Sequence, residues 1–166
     1  MVVIQDTYKQ YFDAALPGNF AHTSTLDDWI SKMTDTAITF GLGVVRGAKD
    51  RSVKVPSATG QDFIGIVRRT LARSNADNVE DGASEVDTFH DIITNGYVHV
   101  VCEDGCSPGD DVFLRHTVNA ALTPGSFRTD GDAIEATDSA DQITSATWET
   151  TTAAGEIGIV KLKQGV

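Results

Sequence analysis

From Thr36 onward the chain alternates short apolar segments with turns rich in Gly, Pro, Asn and Asp. The segments have the length of β-strands, and the turns interrupt them at fairly even spacing. No long helical pattern separates them, which argues against a parallel sheet built from strand–helix–strand units. The pattern predicts an all-β fold, a small β-barrel or a jelly-roll-like sandwich. Its strands are predicted near residues 37–46, 52–55, 61–69, 86–92, 97–102, 111–116, 126–129, 145–150 and 156–162, with a turn at residues 94–96.

Residues 1–35 follow a different pattern, and we interpret them as a partly helical N-terminal arm ahead of a β domain at residues 36–166. Large side chains from Tyr8 to Leu16 recur at the spacing of one helical face, and Pro17 with Gly18 would end that helix. A second short helix is predicted over residues 26–33, where Asp27 and Asp28 would stabilise the positive first turn. Packing of both helices on the domain itself is an open alternative.

The arm is rich in aromatic side chains, which are favoured as interface anchors because they bury much area for few rotatable bonds. A helix of about 10 residues is marginal alone in water, so it needs a partner surface. We therefore expect part of the arm to pack against another chain. The candidate contact residues of the arm are Tyr8, Tyr11, Phe12, Phe20 and Trp29.

The chain is acidic, with a formal net charge of −11 at pH 7. Such a charge disfavours binding to nucleic acid and to anionic membranes, both of which require cationic surfaces. The charge is also unevenly placed. Residues 46–73 hold seven basic and two acidic side chains, whereas residues 74–142 hold two basic and fifteen acidic ones. Either these are two solvated faces, or Arg68 and Arg69 of the basic segment contact an acidic partner.

Few residues suggest enzyme chemistry. We expect no nucleophile elbow, and the serines lie in turns or polar loops with no neighbouring residue type that singles one out as a nucleophile. Residues 41–47 resemble a dinucleotide-binding loop only loosely, because Arg46 takes the third glycine position and a strand pattern surrounds it. We expect no catalytic activity.

Metal sites are also weakly supported. His99, Cys102 and Cys106 surround one turn and His116 follows, but His99 and Cys102 would point to opposite faces of a strand. The loop from Asp130 to residue 135 could supply oxygen ligands for calcium, although its third acidic position is missing. We expect no metal and no cofactor. Two unlinked cysteines are the default expectation, and a disulfide between them is a second possibility.

Residues 63–69 form an F-x-G-I-x-x-R strand motif, and residues 96–101 with 109–113 form a strand followed by a Gly-Asp turn. Together with two further stretches of the β region, they resemble the structural cement, or head-decoration, proteins of tailed bacteriophages. His99 stands where the family often has Trp, and Pro108 replaces a small residue before the Gly-Asp pair. The other two stretches are residues 40–47, similar to the opening strand, and residues 146–162, similar to the closing hairpin.

The resemblance implies a protein that binds the outside of a phage head and stabilises contacts between major capsid protein subunits. It implies two partners, the major capsid protein and further copies of the same chain, as a dimer or trimer on the shell. It also implies a location on the outer surface of the virion head, reached from the host cytoplasm during assembly. The alternative is a β-rich receptor- or carbohydrate-binding module of a virion.

Overall fold

The computed structural model describes residues 16–22, 27–70, 87–118, 122–132 and 139–163. These residues are all-β, as the sequence pattern predicts, and they contain no helix. None of them therefore forms a helix capable of crossing a membrane. The strands are β1 (Asp28–Thr34), β2 (Gly43–Arg46), β3 (Ser52–Lys54), β4 (Phe63–Val67), β5 (Phe89–Val101), β6 (Asp111–Arg115), β7 (Phe127–Arg128), β8 (Ala140–Trp148) and β9 (Ile157–Leu162).

Five strands close into a small barrel in the order β1-β3-β2-β4-β5, because β1 also pairs with the first half of β5. All neighbours in this barrel are antiparallel except β1 and β3. Closure leaves no free edge among these strands, which removes a common route to aggregation. We call this unit the first barrel.

The second half of β5 continues into another sheet, in the order β5-β9-β8-β6-β7. A parallel bridge joins Cys102, just after β5, to Phe127 in β7, and the Glu103 N–H donates to the Phe127 carbonyl at 2.9 Å. These contacts bring the far edge of the sheet back to the end of β5. The long β5 strand therefore serves as a shared wall between the first barrel and this second unit.

The apolar core consists of two clusters. The first barrel encloses a small cluster that includes Phe40, Val53 and Ile92, and the larger cluster surrounds Trp148 and also includes Val45 and Ile66 from β2 and β4. Alternation along the expected strands predicts ten core residues. Nine are buried, and the tenth, Ile64, is half-buried against the small cluster of the first barrel. The nine are Val44, Ile66, Val98, Val100, Val112, Leu114, Trp148, Val160 and Leu162.

The prediction of a helix over residues 26–33 is wrong, because residues 28–34 form β1. Trp29 pairs with Ile93. Ile30 pairs with Ile92 and packs on the small core cluster inside the first barrel. Long-range pairing with β5 outweighs the local capping signals. The body of the protein thus includes a strand that we expected in the arm. The other expected helix, from Tyr8 to Leu16, lies almost wholly outside the described residues.

The predicted turn at residues 94–96 is also wrong, because β5 runs through it without a break. Gly96 has φ of +122°, a conformation that side chains rarely allow. A Cβ atom there would lie 2.6 Å from the Asp27 carboxylate and 3.1 Å from the Phe20 ring. The glycine therefore allows β5 to continue from the first barrel into the second unit beneath Phe20 and Asp27.

Candidate functional site

Three of the predicted contact residues meet near the junction of the two units. The Arg68 guanidinium lies 4.5 Å from the centre of the Trp29 ring and 5.6 Å from that of Phe20. The two rings meet edge to face with centroids 6.3 Å apart. We call Phe20, Trp29 and Arg68 the Trp29 cluster.

Each member of the Trp29 cluster comes from a different segment that contacts β5. Trp29 lies on β1 opposite Ile93, and Phe20 forms an isolated bridge with Val98. Arg68 follows β4, and its N–H donates to the Asp91 carbonyl at 2.8 Å. Its guanidinium also lies 3.6 Å from the Asp91 carboxylate. The shared strand thus fixes the relative positions of all three side chains.

Arg69 does not join this cluster, although it adjoins Arg68 in sequence. Its guanidinium lies 5.1 Å from the Phe40 ring, and its Nε donates to the Pro17 carbonyl at 3.2 Å. Its backbone N–H donates to the Gly18 carbonyl at 2.9 Å. Arg69 therefore holds Pro17 and Gly18 against the first barrel. Tyr8, Tyr11 and Phe12 lie outside the described residues.

The described end of the arm packs on its own chain. The Gly18 N–H donates to the His99 carbonyl and the Ala21 N–H to the Tyr97 carbonyl, both at 2.8 Å. The His99 N–H donates in return to the Asn19 carbonyl at 2.9 Å. Residues 18–21 thus act as an added strand beside β5.

The Trp29 cluster combines apolar surface with a positioned guanidinium, whose charge is partly offset by the Asp91 carboxylate 3.6 Å away. Trp29 is 45% exposed, although tryptophan side chains are highly buried on average. The attraction between a cation and an exposed aromatic ring is about 0.5–1 kcal/mol. It favours one arrangement of the Arg68 and Trp29 side chains before a partner binds. Such a surface suits a partner that offers an apolar contact beside a carboxylate.

The basic segment is less positive in the structure than its composition predicts. Arg46 lies 3.6 Å from Asp62, and Lys49 forms a close pair with Asp87. All four side chains are largely exposed, so these pairs contribute little to stability. They do reduce the positive potential that a partner meets at this end of the first barrel.

The fold occurs in a known phage particle. A chain in the solved structure entitled "The capsid of Myoviridae Phage XM1" superimposes with a TM-score of 0.74 at 14% sequence identity. The match covers 99% of this chain and 100% of that one. No curated protein matches the sequence.

Residues 4–163 match the sequence profile of the family described as "Structural cement protein (E217 gp24/Pam3 gp6)". The chain belongs to this structural cement protein family. The resemblance found in four short stretches is thereby confirmed over nearly the whole chain. The cement protein is a structural component by family, which agrees with the weak support for enzyme chemistry in its sequence.

The cement protein has one string that matches the letters of a nucleophile elbow, at residues 105–109 around Ser107. An elbow requires a sharp turn from a strand into a helix. Here a tight turn leads from β5 to β6, and the Ser107 N–H donates to the Asp110 carboxylate at 2.7 Å. The string therefore forms an ordinary turn.

The candidate metal ligands of the cement protein are used otherwise. Within the described residues, no group of three His, Cys, Asp or Glu side chains could hold a metal ion. Asp130 and Asp132, from the calcium loop considered above, each approach an arginine at 2.6 Å. Residues 133–135 of that loop lie outside the described part of the chain.

Both cysteines of the cement protein are buried free thiols. Burial raises the pKa of Cys102 to about 12, so this thiol stays protonated at neutral pH. Its Sγ donates to the Asp104 carboxylate at 3.5 Å, and the Cys106 Sγ donates to the Thr150 carbonyl at 3.2 Å. Protonated thiols are poor nucleophiles and poor metal ligands, so both cysteines act as core residues.

Proposed function

We propose that this cement protein binds the outer surface of a phage head and stabilises contacts between major capsid protein subunits. The observation that carries the proposal is the Trp29 cluster, an exposed and pre-ordered aromatic–cation surface on a chain of the cement family. The closed first barrel supports it, because a rigid body loses little conformational freedom when it bridges two neighbours.

The charge of the chain supports the same function. A net charge of −11 keeps free copies soluble in the host cytoplasm and disfavours attachment to the nucleic acid that is packaged nearby. Many copies act together on one shell, so a modest affinity per copy suffices. We propose further that copies of the chain contact one another there, as a dimer or trimer.

Binding of a glycan is less favoured as the main function. Sugar rings stack on the open face of an aromatic side chain, but the Arg68 guanidinium already lies over the Trp29 ring. The second tryptophan, Trp148, is fully buried. Neither tryptophan therefore offers a free platform for carbohydrate.

We expect Trp29→Ala and Arg68→Ala each to weaken binding to phage heads by about tenfold or more, as for residues at the centre of an interface. Arg68→Ala should also reduce the salt dependence of binding, because exposed charges are screened over about 8–10 Å. The measurement is cosedimentation of purified protein with heads that lack it, at several protein and salt concentrations.

Arg46→Ala is the matched control for these two variants. Arg46 is an exposed arginine of the same basic segment and, like Arg68, lies 3.6 Å from an aspartate, but it lies in a different hairpin and outside the Trp29 cluster. We expect it to change binding less than threefold, about 0.6 kcal/mol or less. Full occupancy of heads by both Trp29→Ala and Arg68→Ala would show that the Trp29 cluster is not the attachment surface.

The role proposed for Tyr8, Tyr11 and Phe12 can be tested by deleting residues 1–15. A deletion to Thr34 would remove most of β1 and open the first barrel, so it cannot separate binding from folding. The shorter deletion retains every described residue. We expect it to keep its thermal stability within a few degrees, while head occupancy falls by about tenfold or more. Unchanged occupancy would show that Tyr8, Tyr11 and Phe12 have no part in attachment.

A further inference from the structure

A small cavity lies where the first barrel meets the second unit. Its volume is about 30 Å³, and its lining includes His116, which follows β6, Asp141 of β8, and part of the loop of residues 55–62 between β3 and β4. The other walls are mainly apolar, and none of the lining residues is basic. A space of this size admits a metal ion or a water molecule, but not an organic ligand, which needs about 300 Å³ or more.

The His116 ring brings an unsatisfied nitrogen to this cavity. Its side chain is 6% exposed, and within the described residues its Nε2 has no hydrogen-bond partner. A buried polar atom without a partner is destabilising, so native proteins rarely keep one without a bound water, an ion or a functional role. The His116 Nδ1 does have a partner, the Thr117 hydroxyl at 2.9 Å. When Nδ1 donates its proton to that hydroxyl, the Nε2 lone pair is left for a ligand.

The distance between His116 and Asp141 distinguishes three ways of satisfying this nitrogen. The His116 Nε2 lies 3.7 Å from the Asp141 Oδ1. A direct hydrogen bond would require about 2.7–3.2 Å, and a water molecule bonded to both atoms would hold them about 4.5 Å apart. Two ligand atoms of a tetrahedral zinc ion, each about 2.0–2.1 Å from the metal, lie about 3.4 Å apart. The observed separation is closest to that of two atoms sharing a metal ion.

The Asp141 carboxylate is also held as metal ligands are. Its Oδ1 accepts a hydrogen bond from the Thr59 hydroxyl and its Oδ2 accepts one from the Gly60 N–H, both at 2.7 Å. Outer hydrogen bonds of this kind orient the imidazoles and carboxylates of metal sites, and each oxygen keeps a further lone pair for the ion. The Asp141 side chain is 34% exposed, which leaves a path for the ion and for water.

We propose that His116 and Asp141 bind a divalent transition-metal ion of the zinc type, with water as the remaining ligands. Imidazole nitrogen with carboxylate oxygen suits zinc, whereas calcium and magnesium prefer oxygen ligands alone. Since Asp141 also holds Thr59 and Gly60, the ion would fasten the 55–62 loop of the first barrel to β6 and β8 of the second unit. The two ligands lie far apart in the sequence, and no spacing motif marks them. The inference does not depend on attachment to phage heads.

The experiment is isothermal titration calorimetry of the metal-free full chain with Zn²⁺ at pH 7. Two side chains are fewer than the three or four of most zinc sites, so we expect one ion per chain with a dissociation constant of about 1–100 µM. His116→Asn and Asp141→Asn should each weaken binding by about 30-fold or more, since loss of an outer hydrogen bond alone costs about 10–100-fold at metal sites. His22→Asn is the matched control, because His22 is an exposed histidine that stacks on Tyr97 outside the cavity. It should bind Zn²⁺ within about twofold of wild type.

Two further measurements locate the bound ion. Hydrogen exchange of the Gly60 amide should slow by about threefold or more when Zn²⁺ is added, because this amide donates to Asp141. The same addition should leave the exchange rate unchanged in Asp141→Asn. Thermal melting of the metal-free variants shows whether they are folded, and the more exposed position, Asp141, provides the test if His116→Asn does not fold.

A wild-type chain with no saturable Zn²⁺ binding up to about 1 mM would overturn the inference and leave a water molecule as the partner of His116. Binding of unchanged strength in both cavity variants would overturn it too. So would loss of binding in His22→Asn, which would place the ion beside Tyr97 instead.

Discussion

Trp148→Ala should lower the free energy of unfolding by about 3–5 kcal/mol. The Trp148 side chain is fully buried at the centre of the larger core cluster, on the last residue of β8. Its indole N–H points to the Arg128 carbonyl at 3.4 Å. A Cβ atom on Gly158 would lie 2.8 Å from the indole ring, so the backbone of β9 approaches as closely as glycine allows. Removal of the ring therefore leaves a cavity that strands held in one sheet cannot fill.

Denaturant unfolding of wild type and variant gives the difference directly. Trp29→Ala is the control, because Trp29 is half-exposed and its loss should cost about 1 kcal/mol or less. Trp148→Phe should lie between the two, since it removes only part of the ring. In Trp29→Phe, the fluorescence of the remaining Trp148 should resist quenching by acrylamide until the protein unfolds. A cost below about 1 kcal/mol for Trp148→Ala would mean that the site collapses around alanine.

The burial of Trp148 and its neighbours could be predicted from the sequence because strand alternation is local. Each apolar segment reports which of its own residues face inward, and the turns between segments are marked by Gly, Pro, Asn and Asp. The same information does not identify which strands pair. The sharing of β5 between two units depends on Gly96, which the sequence marks only as a turn residue.

The sequence before β2 is ambiguous for the same physical reason. A stretch such as 26–33 has acidic residues followed by mixed apolar positions, which fits a short helix as well as a strand. Pairing with β5 decides between them, and its partner residues lie about 60 positions away. The local sequence pattern does not identify a pairing strand so far along the chain.

The Trp29 cluster could be predicted only in its parts. The sequence marks Phe20 and Trp29 as aromatic residues of an expected arm, and Arg68 as a member of a basic segment. The stacking of Arg68 over Trp29 requires β1 and β4 to flank the same strand, which the sequence does not reveal. Adjacent residues of an extended chain point to opposite sides, so Arg69 faces Phe40 instead.

The most acidic part of the chain contains a buried ionic network that composition also conceals. Arg115 on β6 is fully buried, and its Nε and Nη2 donate to the Glu103 carboxylate at 2.7–3.0 Å. Its Nη2 also donates to Asp132 at 2.6 Å, and its Nη1 donates to the Ser139 hydroxyl at 3.1 Å. The Arg128 Nη1 approaches Glu103 at 3.3 Å. Two arginines thus join the end of β5, β6, β7 and the start of β8.

Arg115→Met should lower the free energy of unfolding by about 3–5 kcal/mol, because it leaves the Glu103 carboxylate buried with one weaker partner. Added salt should not restore the loss, since screening reaches exposed charges and Arg115 has no exposed surface. Arg115→Lys should also destabilise the protein, because an ammonium group cannot reproduce the forked contact.

The decisive control for Arg115→Met is the double variant Arg115→Met with Glu103→Leu, which removes both charges and leaves apolar groups of similar size. A buried ion pair gains little over well-packed apolar residues, because desolvation of both charges offsets their attraction. We therefore expect the double variant to recover at least about half of the stability lost in Arg115→Met, with a coupling energy of about 1–3 kcal/mol. The measurement is a denaturant double-mutant cycle at neutral pH. If the two single losses simply add, the network contributes by packing alone, and the charges of Arg115 and Glu103 have no specific role in joining β6 to the end of β5.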